Sequence, residues 1–175
     1  MPKPKWDVAR LSADEKSALK RSAGTMMNGA SMRAIEGFYR ALTDHCKSFE
    51  EPAWFAALSL QCLWHEEEKT TIKELPEILK ITYNDPEATD TTRKHCTDFL
   101  DINWSEDGFL LGKICNLVRK HHSKHPEIMP DFEKLADDLT SWNHATHFVQ
   151  RKWLNTICST IKDQVKTEEE EENVD

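Results

Sequence analysis

SMRAIEGFYRALTDHC, residues 31–46, sets Met32, Ile35, Phe38, Tyr39, Leu42 and Cys46 three and four residues apart. That spacing lays an apolar stripe along one side of a helix, with Phe38 and Tyr39 expected as anchors on the buried face. The neighbouring segments read the same way. Upstream, Ser12 and Glu15 in LSADEKSALKRSAG form a capping box that opens a short first helix, which Gly24 is expected to end. Downstream, Pro52 suits the first turn of a third helix, and WFAALSLQCLWHEEE is apolar on most sides, as a central helix packed from several directions would be.

From Glu67 to Asp90 the periodicity weakens around Pro76 and Asn84-Asp85-Pro86, which predicts one short helical piece and a loop. TTRKHCTDFLDI then reads as a fourth helix. Ser105 is placed to cap a fifth, whose face carries Leu110, Ile114, Leu117, Val118 and His121, and HHSKHPEIMP ends it. Phe132, Leu135, Leu139 and Trp142 form a further stripe, and a last helix is expected from about His144 to Lys166. With only 5 glycines and 31% charged residues, the chain reads as all-α, a compact bundle of about seven helices. The expected organisation is a single domain over residues 1–166, with an N-terminal helical lobe over about 11–66 and a C-terminal helical lobe over about 90–166. An acidic, disordered tail over residues 167–175 is expected to follow.

The formal charge of −8 argues against a phosphate-binding role until its distribution is considered. The segment TEEEEENVD, residues 167–175, holds six acidic side chains and no basic ones, which leaves 25 acidic against 23 basic in the rest. The body is nearly neutral, so local clusters decide. The tail reads as a solvated end, or as an electrostatic decoy that competes with nucleic acid. Five widely spaced cysteines, Cys46, Cys62, Cys96, Cys115 and Cys158, fit reduced thiols in a cytoplasmic protein. No secretory or membrane-spanning segment is expected.

Catalytic and metal templates find little to hold. Cys62 and His65 form one ligand pair without a second, and Cys158 lies too far along the helix axis to join His144 and His147. The Glu-x-x-His pattern of di-iron bundles, the His-Glu-x-x-His zinc motif, a Gly-rich phosphate loop and a nucleophile motif are all missing from the sequence. Asp137-Asp138 reads as a solvated helix face. No catalytic residue, metal or cofactor is expected. What stands out is a set of basic residues on helices: Lys20-Arg21, Arg93-Lys94, Lys113, Arg119-Lys120 and Arg151-Lys152. Turned toward one surface, they would make a groove that follows a sugar-phosphate backbone without reading bases.

The order of these motifs resembles the CasB family, the small subunit of the type I-E CRISPR surveillance complex called Cascade. ALKRSAG places Lys20 and Arg21 where that family has a basic pair after a capped start, and Phe38-Tyr39 matches its aromatic pair. PDFEKLADDLTSWNHATHFVQRKW supplies Asp131, Phe132, Leu135, Asp138, Leu139, Trp142, Arg151 and Trp153 with the family's spacing. The chain departs from the pattern at Lys20, Phe132 and Lys152, and residues 67–125 align loosely.

The resemblance implies a non-catalytic helical subunit, present as two copies among the other Cascade subunits. It would contact guide RNA and the target strand, and help hold the displaced strand of the R-loop. Guide pairing reads the sequence there, so the subunit needs only backbone contacts and shape. A helical protein-interaction adaptor without nucleic-acid contact is the competing reading, since the acidic balance suits it equally. Helical geometry also separates the functions within DDLTSWNHATHFVQRKW. Leu139, Trp142 and Trp153 fall on core-facing stripes as structural anchors, whereas His144, His147 and Arg151 form an outward stripe.

Overall fold

Eight α-helices and one pair of short strands make up the described part of the computed structural model, which comprises residues 3–65 and 69–159. The helices are α1 (Ala13–Arg21), α2 (Met32–Ala41), α3 (Glu51–Gln61), α4 (Leu75–Tyr83), α5 (Asp90–His95), α6 (Phe109–Lys124), α7 (Phe132–Thr140) and α8 (Phe148–Cys158). Strand β1 (Thr71–Lys73) lies parallel to β2 (Ile128–Pro130). The acidic segment and the expected extension of the last helix to Lys166 lie outside the described residues.

Every residue of α3 from Ala53 to Leu60 is buried, because the helix is wrapped by α1, α2, α6 and α7. One cluster of buried apolar side chains runs through the described chain from Trp6 to Ile157. The N-terminal segment closes over this core. Trp6 bridges to Leu42 in antiparallel fashion, and its Nε1 donates to Gln61 Oε1 at 2.8 Å. Lys5 reaches the Asp137 carboxylate at 3.0 Å, and its backbone N–H donates to Glu133.

The opening stripe turns out to be rotated. Helix α2 ends at Ala41, and its buried face is Ala34, Gly37, Phe38 and Ala41. Met32 and Tyr39 point outward, so Tyr39 is no core anchor: its ring is tilted against Phe38 and its hydroxyl donates to Glu51 at 3.0 Å. The cause is close packing on α1. A Cβ at Gly37 would lie 3.1 Å from Glu15 Cβ and 3.3 Å from Leu19 Cδ1, so only small residues fit that seam. Cys46 falls beyond the helix end.

Four other expectations shift with local chemistry. Pro76 does not interrupt a helix but sits in the first turn of α4, where its missing N–H is not needed. The expected fourth helix breaks into α5 and a 3-10 turn at Asp98–Asp101. Ser105 does not cap α6. Its hydroxyl donates to Asp107, whose Oδ1 also accepts from Phe109 N, and Gly108 enters the helix at φ 72°. Finally, α8 begins at Phe148, after His147 at φ 51°, so His144 and His147 are exposed turn residues and the stripe with Arg151 is not helical. The β1–β2 ladder was hidden by its length, since three residues give no alternation to read.

The ladder lies beside the histidine-rich end of α6. His121 shares a hydrogen bond through Nε2 with the Ile128 carbonyl at 2.7 Å, and Trp64 Nε1 donates to the Pro126 carbonyl at 3.0 Å. Burial pushes the His121 imidazole below the ordinary histidine range, outweighing the bond to Ile128, while His125 and His122 add repulsion and Glu127 opposes it. Because the folded chain takes up this proton at lower pH than the unfolded chain, the neutral ring's contribution is complete above about pH 6.5 and is lost on acidification toward the lower folded value. Urea unfolding at about pH 7.5 and about pH 5 is expected to show that loss, and His121→Gln to show a smaller one. An equal loss in both proteins would assign the pH dependence to other groups.

Candidate nucleic-acid interface

Helix α6 is oriented by Leu110, Leu111, Ile114, Cys115 and Val118, which enter the core. Lys113, Asn116, Leu117 and Lys120 then share another face at i, i+3, i+4 and i+7, as a 3.6-residue period requires. This face meets α5 and the turn after it across a groove of about 320 Å³ lined by His95, Asp98, Lys113, Asn116, Leu117, Arg119 and Lys120. Three of the predicted cations are thereby brought together. The groove's one carboxylate, Asp98, faces His95 at 3.4 Å.

The cations are held differently. Lys113 Nζ sits 5.5 Å from the centroid of the Phe109 ring, so its aliphatic stem lies along apolar surface while the ammonium stays accessible. Arg119 Nε donates to Cys115 Sγ at 3.3 Å, which fixes one edge of the guanidinium and leaves the other free to fork toward an anion. Lys120 lies near Cys96. Burial and the Asp98 charge push that thiol up, and the Lys120 ammonium works against them. His95 and Asn116 complete the groove. Sequence reasoning passed over both, although His95 adjoins the Arg93-Lys94 pair.

The other predicted cations lie elsewhere. Arg93 is consumed within the fold: Nε donates to the Tyr83 carbonyl at 3.2 Å, one terminal nitrogen to the Asp85 carbonyl at 3.1 Å, and the other reaches Asp90 at 3.4 Å. Lys152 faces Glu74 at 3.8 Å. Lys94 is exposed on α5. Lys20 lines a separate hollow with Lys16, Trp64 and His65, and its neighbour Arg21 is exposed at the end of α1. Arg151 lines a third hollow with Asp101, Asn103, His147 and Gln150. Among the described residues no carboxylate stands within ion-pair distance of Lys20, Arg21, Lys94, Lys113, Lys120 or Arg151.

The aromatic ending of the chain holds this surface in place. Trp142 and Trp153 are buried edge to face, with ring centroids 5.3 Å apart, and both pack on Phe99. Trp142 Nε1 donates to the Ile102 carbonyl at 2.9 Å, which ties α7 to the turn beneath the groove. Trp153 Nε1 donates to Asp138 Oδ2 at 2.8 Å, and Lys134 donates to the other oxygen at 2.7 Å. Asp138 is therefore buried, unlike exposed Asp137, and the expected solvated acid pair is split. Leu139 is fully buried beside them. Among the described residues no group of three or more His, Cys, Asp or Glu could hold a metal ion, and no helix is long and apolar enough to cross a membrane.

Residues 15–156 match the family model of CRISPR-associated protein Cse2. The fold is similar to a chain of a solved structure described as a CRISPR RNA-guided surveillance complex. The two share a TM-score of 0.68 at 16% sequence identity, over 89% of this chain and 88% of that one. No curated protein sequence matches.

Proposed function

Because this chain belongs to the Cse2 family of CRISPR-associated proteins, we propose that it is a non-catalytic subunit of an RNA-guided surveillance complex that grips single-stranded nucleic acid by its phosphates. The observation that carries this reading is the α5–α6 groove, where Lys113, Arg119 and Lys120 converge and the one carboxylate is already engaged by His95. Such a surface neutralises a backbone and carries little sequence information, which suits a complex whose guide RNA does the reading. The displaced DNA strand of the R-loop is the ligand that most needs such a grip, since it has lost its pairing partner. Lys20, Arg21 and Arg151 would add contacts where the strand or the guide RNA passes the neighbouring hollows.

The adaptor reading keeps one observation in its favour. Met32, Phe49, Phe109 and Phe148 are exposed large apolar side chains, and such residues suit docking to other subunits or to a second copy of the chain. Fluorescence anisotropy of a labelled single strand, with the chain reconstituted among its partner subunits at low salt, separates the two. The proposal predicts a signal that weakens when Lys113 and Lys120 are neutralised. A pure adaptor predicts the same signal with and without those side chains.

A further inference from the structure

Gln150 of α8 is only 9% exposed, and the two ends of its amide fare differently. Nε2 donates to the Trp142 carbonyl at 2.7 Å, which fixes the amide's orientation, whereas among the described residues nothing donates to Oε1. A buried amide oxygen without a donor is costly, and it calls for an N–H or O–H that the chain itself does not supply. Gln150 lines the hollow of about 510 Å³ between the first two turns of α8 and the segment from Leu100 to Asn103. His147, Gln150, Arg151 and Leu154 fall three and four residues apart along the side of α8 that forms one wall.

The rim of this hollow is held in place. The Asn143 side chain accepts from Trp104 N at 2.9 Å and donates to the Trp104 carbonyl at 2.6 Å, beside Asn103. His147 N donates to the His144 carbonyl at 2.9 Å and closes the turn that enters α8. A site whose polar groups are fixed in advance loses little freedom on binding.

The lining combines apolar surface from Leu100 and Leu154, two acceptors in Gln150 Oε1 and the Asp101 carboxylate, and one cation, Arg151. Neither charge is paired among the described residues. That set fits a nucleotide, which has flat apolar faces, a donor edge and a phosphate, and the volume lies within the range of about 300–1,000 Å³ usual for small-ligand sites. It also grades the bases. Guanine carries N1–H and an N2 amine side by side and can donate to both acceptors. Adenine and cytosine bring one exocyclic amine, and thymine has a single N–H between two carbonyls, which a carboxylate repels.

We propose that this hollow takes one unpaired base of the held strand, guanine in preference to the others, with its N–H groups on Gln150 Oε1 and Asp101 and its phosphate on Arg151. The inference rests on the single-strand binding proposed above and adds to it one position that reads a base, where the α5–α6 groove reads none. Placing guanine there instead of thymine is expected to tighten binding about five- to ten-fold, the low end for a base contact because the hollow is open to solvent.

Two measurements keep this hollow apart from the phosphate grip. In the first, dGMP or dTMP is titrated into the full chain while the Gln150 side-chain amide is followed by NMR, a readout that needs no strand binding. The amide should shift with dGMP at concentrations where dTMP leaves it unmoved, and dIMP, which lacks only the N2 amine, should fall between them. Equal shifts with dGMP and dTMP would overturn the proposal, as would no shift with either, the result expected if a partner subunit's side chain fills the hollow. In the second, a labelled oligothymidylate carrying one central dG is compared with the all-thymine strand. The dG strand should bind about five- to ten-fold tighter, and the ratio should persist as salt rises, because a base contact releases no counterions. Asp101→Asn, at an exposed position, replaces a carboxylate by an amide and should bring the two affinities together, and Gln150→Met should do the same with side-chain volume kept. Strands that bind equally whatever the central base would sink the hollow and leave the phosphate grip standing. Selective dGMP shifts in a chain that binds no strand would do the reverse.

Discussion

Trp153→Ala is expected to lower stability by about 3–5 kcal/mol, the usual cost of emptying a large aromatic site. The ring is enclosed by Phe99 and Trp142, and its Nε1 holds the buried Asp138 carboxylate at 2.8 Å. Removing it opens a cavity and takes one of two donors from a buried charge, leaving Lys134 alone to hold it. Against a total of about 5–15 kcal/mol for an ordinary domain, such a loss is a large fraction. Trp153→Phe keeps most of the volume and forfeits the hydrogen bond, so about 1–3 kcal/mol is expected. Arg151→Ala, two residues away and exposed, should stay within about 0.5 kcal/mol of the parent. Denaturant unfolding of the three variants checks the order, and an Arg151 variant as unstable as Trp153→Ala would refute it.

The second large effect concerns binding. Lys113→Glu combined with Lys120→Glu removes two cations and adds two anions in the groove. Loss of two phosphate contacts alone is worth roughly 25-fold at about 0.1 M salt, at about 0.7 decade per contact for a single strand, and repulsion adds to it. Affinity for a displaced or free strand should fall by that factor or more, and by the same factor whatever the base sequence. Lys152→Glu, at a position already facing Glu74, should cost far less. Unfolding curves should be nearly unchanged, because both lysines lie on the outward side of α6.

How far the sequence could be read follows from which interactions are local. Ser12 capping Glu15 N, the run from Ala53 to Leu60, and the core positions of Leu139, Trp142 and Trp153 are set by spacing along one helix, so periodicity exposes them. Tyr39 failed as an anchor because the face of α2 is chosen by the seam with α1 at Gly37, a contact between helices that no single-helix stripe contains. Asp138 was misplaced for the same reason, since its burial depends on Trp153 fifteen residues later. The basic residues on α6 were legible as a group by their spacing along one helix, but what faces them was not. Lys113, Arg119 and Lys120 are carried by α6 alone, but the opposite wall of the groove, His95 and Asp98, comes from elements the sequence does not place beside them, and only the fold around Tyr83 withdraws Arg93 into carbonyl contacts.

The salt dependence of strand binding by the assembled complex, compared between the parent chain and a Lys113→Ala, Lys120→Ala variant, tests the central claim most directly. If the α5–α6 groove neutralises phosphates, the slope of log affinity against log salt becomes shallower by about 1.4, roughly 0.7 for each contact removed. Two parallel lines would contradict it, showing that these lysines touch no phosphate.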